Sequence, residues 1–210
     1  MTIDLETYRE YMRALLAGEH PACRQIVQAL LAEEIAVRDL YTHLFQRSMY
    51  EVGELWEHHK VSVATEHLAT SITESLMALV YPRLFDRQPS DRSAIVSCVA
   101  NEYHQIGGKM VADMLEMHGW NGYFLGANTP IQDLLTLVDE KKPDLIALSL
   151  SVYFSMPHLV RALEAIRAEF PDMPVIVGGQ AFRWGGRALV EGQRDVECVT
   201  DLAALETIAK

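Results

Sequence analysis

Short, β-rich apolar runs alternate with amphipathic helical stretches through residues 93–210, and no other feature limits the fold of this chain as strongly. The runs fall at residues 94–100, 123–125, 145–150, 175–177 and, more weakly, 197–199. Between them lie helical faces built from Met110, Val111, Met114 and Leu115, then Ile131, Leu134, Leu135 and Val138, then Leu159, Leu163 and Ile166. The middle one has a marked start: Thr129 as cap, Pro130 next, and Gln132 closing a capping box. Residues 201–209 supply the last helix. Strands joined through helices pair in parallel, because each right-handed crossover must pack back onto the sheet. The expected fold class is therefore α/β, with a flavodoxin-like, doubly wound, five-stranded parallel sheet. Such sheets bind ligands beyond the carboxyl ends of their strands, near the point where strand order reverses. The loops at those ends are residues 101–108, 149–155 and 178–180.

Residues 1–82 show helical spacing throughout. Asp4 or Thr7 can start a first helix that ends at Gly18, and Pro21 suits the first turn of a second with Ile26, Leu30 and Leu31 on its apolar face. A long third helix carries Val37, Leu40, Tyr41, Leu44, Val52 and Leu55, with one eight-residue gap in its pattern. Ser62 can cap a fourth, whose face is Leu68, Ile72, Leu76, Leu79 and Val80. Four helices with short connections predict an antiparallel bundle. The polar segment of residues 86–92 then reads as a linker. The expected organisation is a four-helix bundle over residues 1–85, that linker, and the sheet domain over 93–210.

The loop after the first strand holds the chemistry. His104 can give a ring nitrogen to a metal, and Glu102, two residues earlier, can accept a hydrogen bond from the other nitrogen, fixing the tautomer. Gly107 and Gly108 remove side chains where something bulky might approach the backbone. Taken alone, this spacing more often belongs to a solvated histidine beside a helix start. Gly178 and Gly179 are equally a flexible strand-to-helix turn, and Ser149 and Ser151 equally turn residues. Their gathering at one sheet edge is more specific than any one of them.

Charge narrows the partners. The 18 basic and 29 acidic side chains give a net charge of -11, which repels phosphate backbones and argues against direct contact with nucleic acid. No apolar run approaches the roughly 20 residues that span a bilayer. The start of the chain does not read as a secretory signal, and Cys23, Cys98 and Cys198 have no C-x-x-C spacing. The expectation is a soluble cytoplasmic protein with reduced thiols.

Glu102-x-His104-x-x-Gly107, Ser149 with Ser151, and Gly178-Gly179 resemble the D-x-H-x-x-G, S-x-L and GG motifs of the cobalamin-binding domain family. The preceding bundle is similar to that family's helical cap, through Val52-Gly53-Glu54-Leu55-Trp56-Glu57 and Ser62-Val63-Ala64-Thr65-Glu66-His67. The match covers nearly the whole chain, in the family's order. It implies a corrinoid bound base-off and histidine-on, with His104 as lower axial ligand to cobalt and Glu102 tuning it. It also implies a nucleotide tail given room by Gly107, Gly178 and Gly179, Ser149 near the buried benzimidazole, and the helical cap over the upper face. Two positions depart from the pattern: Glu102 replaces the usual Asp, and Ser151 stands where the family has Leu.

Trp56, nine intervening residues, then Glu66-His67 resembles the W-x9-EH pattern of light-sensing CarH-type cobalamin photoreceptors. There these side chains hold the adenosyl group; the bland alternative is an interhelical tryptophan and an acid at a helix start. Glu57 stands where those photoreceptors place a second histidine, with His58 and His59 next. No helix-turn-helix domain is read in this chain. The resemblance implies an adenosylcobalamin-binding sensory module, in which photolysis of the cobalt-carbon bond changes conformation or oligomeric state and signals to a partner protein or output domain. Such a module is not itself an enzyme, and no nucleophile-base pair is read in the sequence. The second reading is a corrinoid carrier, with methylcobalamin as the loaded form, for methyl transfer between partner methyltransferases. A third is a flavodoxin-like interaction domain with no cofactor.

Overall fold

The computed structural model describes residues 3–84, 88, 90–190 and 192–210. The chain divides into two compact units, Met1–Leu84 and Phe85–Lys210. Asp86, Arg87 and Pro89 of the expected linker lie outside the described residues.

The first unit contains α1 (Leu5–Leu16), α2 (His20–Ala32), α3 (Val37–Leu40), α4 (Arg47–Glu57) and α5 (Val63–Val80). Asp4 starts α1, its carboxylate accepting the amides of Glu6 and Thr7 at 2.8 and 3.0 Å. Gly18 stops it with φ +72°, where an added Cβ would come within 2.6 Å of Leu68. The long third helix of the sequence reading is α3 and α4 joined through a π-helical turn at Tyr41–Gln46. The wider turn explains the eight-residue gap, because it rotates the following residues so that Tyr41, Leu44, Phe45, Ser48 and Val52 are all buried. In α5 the buried positions are Ala69, Ile72, Thr73, Leu76, Met77 and Val80. Leu68, expected on that face, is instead 48% exposed, being about 100° of helix rotation from Ala69.

The second unit contains β1 (Ser93–Cys98), α6 (Ile106–Met117), β2 (Asn121–Gly126), α7 (Ile131–Lys141), β3 (Leu145–Ser149), α8 (Met156–Glu169), β4 (Val175–Gly178), α9 (Arg187–Val190), β5 (Val196–Val199) and α10 (Leu202–Ala209). All pairs are parallel, in the order β2-β1-β3-β4-β5. This is the doubly wound α/β sheet read from the alternation. β1 and β3 are the neighbours between which strand order reverses. Ile95, Ile146, Leu148, Val175 and Val177 bury against Leu134 and Val138 of α7 and Leu159, Leu163 and Ile166 of α8. The helix α6 packs against α10 as well as β1 and β2.

The expected capping box on α7 does not form. Pro130 is itself the cap, extended at φ -63° and ψ 139°, with no side-chain capping bond. Its carbonyl accepts the amide of Leu134, so the helix begins one residue later than the Thr129 reading requires. Among the described residues no helix is long and apolar enough to cross a membrane.

Candidate metal centre

At the end of β1 the chain turns sharply through Asn101, whose φ of +63° lies in the left-handed region that asparagine tolerates. Asn101 donates its amide to Asn128 Oδ1 at 2.8 Å, and Asn128 donates its own amide to the Glu102 carbonyl at 2.8 Å. The β1 loop is thereby tied to the loop after β2.

Glu102 is fully buried. Its Oε1 accepts the His104 amide at 2.9 Å and lies 2.6 Å from His104 Nδ1. Its Oε2 accepts the amides of Ser151 and Val152, from the loop after β3, at 2.7 and 2.9 Å. Burial alone would push this carboxyl up, but the His104 ring and the three backbone amides outweigh it and hold it below the usual carboxylate range. Glu102 is therefore a carboxylate, and the Nδ1–H of His104 donates to it. That tautomer places the ring's lone pair on Nε2, in a side chain that is 57% exposed.

Neighbouring groups sharpen the chemistry. Burial, then the charge of Glu102, pushes the Cys98 thiol up to about 12, so it is a neutral thiol, donating to the His104 carbonyl, and no rival ligand. Ser149 is buried beside the first turn of α6. At Gly108 a Cβ would meet Phe124 at 3.2 Å and Ser149 at 3.4 Å, so glycine there serves close helix-strand packing. At Gly107 the nearest atom would be Ser149 Oγ, at 3.8 Å. The surrounding protein accepts a side chain at Gly107, which leaves open space beside the His104 loop.

Gly178 and Gly179 have internal reasons to be glycine. A Cβ would lie 2.6 Å from the Val199 carbonyl at the first and 2.2 Å from the Leu150 carbonyl at the second, which also has φ +117°. Whatever passes them, the neighbouring backbone requires both.

The second unit thus gathers Glu102, His104, Gly107, Ser149 and Ser151 around one turn, with Gly178 beside Ser149 in the strand register and Gly179 against Leu150. In the first unit Trp56 occupies the last turn of α4 and is 48% exposed. Glu66 and His67 open α5, which packs against α4. His67 Nδ1 lies 2.6 Å from Glu66 Oε2, and Thr70 donates to Glu66 Oε1 at 3.0 Å. His58 and His59, just after α4, are exposed.

Sequence reasoning missed two things here. One is the use of the Ser151 and Val152 amides rather than a Ser151 side chain, which residue identity does not signal. The other is the row of exposed aromatics, Tyr103, Tyr153, Phe154 and Trp184, in the loops after β1, β3 and β4. Bulky aromatics in strand-to-helix loops were the available signal.

The centre offers one imidazole nitrogen, oriented by a buried carboxylate. A single donor fits the axial position of a metal whose other ligands come from a macrocycle, whereas a bare ion requires several side chains. Among the described residues no three His, Cys, Asp or Glu side chains gather into such a set. The donor set and the space at Gly107 fit a corrinoid, to whose metal His104 could offer Nε2.

Comparison with known proteins agrees in kind. Models of the B12 binding domain match residues 92–202 and, in a second form, residues 7–81. The HTH-type transcriptional repressor CarH of Myxococcus xanthus is 29% identical over 181 residues, covering 85% of this chain. The match spans 59% of CarH's own length. Trimethylamine corrinoid protein 1 of Methanosarcina acetivorans is 25% identical over 146 residues, or 68% of each chain. The solved structure of the Methanosarcina barkeri monomethylamine corrinoid protein superposes with a TM-score of 0.84 at 17% identity, covering 99% of this chain and 98% of that one.

Proposed function

The chain belongs to the B12 binding domain family, and from that premise we propose that it is a cobalamin-binding sensory module responding to light. The observation that carries cobalamin binding is the pair of Glu102 and His104, 2.6 Å apart at the carboxyl end of β1. His104 would hold the cobalt through Nε2, and Glu102 keeps the ring in the tautomer that places its lone pair there. Gly107 and Ser149 would make room for the cofactor's nucleotide tail, along with Ser151, Gly178 and Gly179. When bound, adenosylcobalamin supplies a cobalt-carbon bond that light breaks. Trp56 offers a flat apolar lid to the adenosyl group, and the Glu66-His67 pair offers hydrogen bonds to its ribose or adenine.

Two observations support light sensing over cobalamin binding alone: the spacing of Trp56, Glu66 and His67, and the 29% identity to CarH across 85% of this chain. The signal passes to a partner protein or output domain through a change of conformation or self-association, and the chain is no catalyst by itself. The purified protein, loaded with adenosylcobalamin in the dark, should change both its absorption spectrum and its elution volume on size exclusion after green illumination. An unchanged spectrum and volume sink the light-sensing reading and leave cobalamin binding standing.

Similarity to the trimethylamine corrinoid protein favours a second reading, a methyl carrier loaded with methylcobalamin that serves partner methyltransferases. Preferential retention of methylcobalamin, with methyl turnover on adding a methyltransferase, would select it.

A further inference from the structure

The turn that carries Glu102 and His104 is fastened to the loop after β3 through Glu102 and to the loop after β2 through Asn128. A further hold comes from α8. His158, in the first turn of that helix, brings Nε2 to 3.0 Å from the side-chain amide of Asn101. Arg161, one turn further along α8, has its guanidinium 3.0 Å from His158 Nδ1. Neither His158 nor Arg161 has a part in the cobalamin reading above. This hold is also made by side chains alone, so it can be removed without touching Glu102.

Donor rules fix the direction of each contact. An arginine only donates, so His158 Nδ1 accepts and the ring's proton sits on Nε2. That N–H meets the Asn101 amide, which accepts it through Oδ1. His158 thus has the opposite tautomer from His104, whose proton is on Nδ1 and faces Glu102. Where the bond ends matters more than its strength. Asn101 is held at φ +63°, in the left-handed region, and Glu102 follows it directly. Any relaxation of Asn101 toward the commoner backbone regions turns the peptide that leads into Glu102. The buried carboxylate, and the His104 ring that it orients at 2.6 Å, move with that peptide.

We infer that His158, with its tautomer set by Arg161, is a positioning residue for His104 and acts through Asn101. The inference rests on the cobalamin reading only for what His104 is held ready to bind. A single net hydrogen bond changes an equilibrium constant by roughly three- to tenfold, which sets the size of the expected effect.

The test compares wild type with His158→Ala, His158→Gln, Asn101→Gly, and Asn101→Gly combined with His158→Ala. Glutamine keeps a side-chain N–H near the place of Nε2, and glycine keeps the left-handed backbone while losing the amide. One readout needs no cofactor: solvent exchange of the His104 Nδ1 proton, followed by NMR on protein with nitrogen-15-labelled histidine. The other is the Kd for aquocobalamin, followed by absorbance. His158→Ala should speed the exchange and weaken the binding, each by roughly three- to tenfold. His158→Gln should recover most of both losses. The double variant should be no worse than Asn101→Gly alone, because the two changes remove the same bond, whereas damage to the packing of α8 would add. Exchange unchanged in His158→Ala, no recovery in His158→Gln, or additive losses in the double variant each overturn the inference and leave the cobalamin reading standing. A wild-type chain that does not bind aquocobalamin overturns the cobalamin reading, and the exchange measurement still decides the inference.

Discussion

Glu102 has no solvent exposure, and its two oxygens serve different loops: Oε1 takes the ring and amide of His104, Oε2 the amides of Ser151 and Val152. One carboxylate thus orients the imidazole and fastens it to the loop after β3. Glu102→Gln puts an NH2 group in the place of one oxygen, so either the His104 side or the Ser151 side faces donor against donor. The variant should lose about 1–3 kcal/mol of stability without cofactor, measured by urea unfolding at neutral pH. The pH dependence follows in sign. Because the Glu102 pKa is lowered on folding, its contribution is present above the ordinary carboxylate range and fades as pH falls through the depressed value. Wild type and Glu102→Gln should therefore converge in stability under acid, and a gap that persists or widens there would contradict the account.

At the scale of elements, glycine positions that look alike in sequence divide by what surrounds them. Gly107, in the first turn of α6, would place a Cβ no closer than 3.8 Å to Ser149 Oγ, while Gly179 would drive one to 2.2 Å from the Leu150 carbonyl at φ +117°. Gly107→Ala should leave stability without cofactor within about 0.5 kcal/mol and weaken cobalamin binding. Gly179→Ala should cost about 1–3 kcal/mol before any ligand is added. Thermal melts of the two variants, each with and without cobalamin, separate folding from binding. Such local packing is also where sequence reading stopped. Alternating runs were enough for five parallel strands and their order, because crossovers leave few topologies. The Thr129 cap failed because Pro130, extended, holds the helix start one residue further on. The face of α5 was misplaced at Leu68, since apolar spacing tolerates a shift of one residue that a packed interface does not. Of the candidate site, the residue types and their common edge were legible. The double use of Glu102 was not, because its partners at Ser151 and Val152 are backbone amides and any residue could donate them.

For the molecule as a whole, the two compact units match the two B12 binding domain models. The net charge of -11 disfavours contact with a phosphate backbone. Every functional reading other than a bare interaction domain depends on His104 binding cobalt in place of the cofactor's own base. The most direct measurement is the electron paramagnetic resonance spectrum of the chain loaded with cob(II)alamin, prepared once with ordinary histidine and once with histidine labelled with nitrogen-15. Coordination by His104 predicts that each threefold nitrogen splitting becomes twofold on labelling, and that His104→Ala removes this response. A threefold splitting unchanged by the label would show the cofactor's own benzimidazole on the metal and would contradict the account.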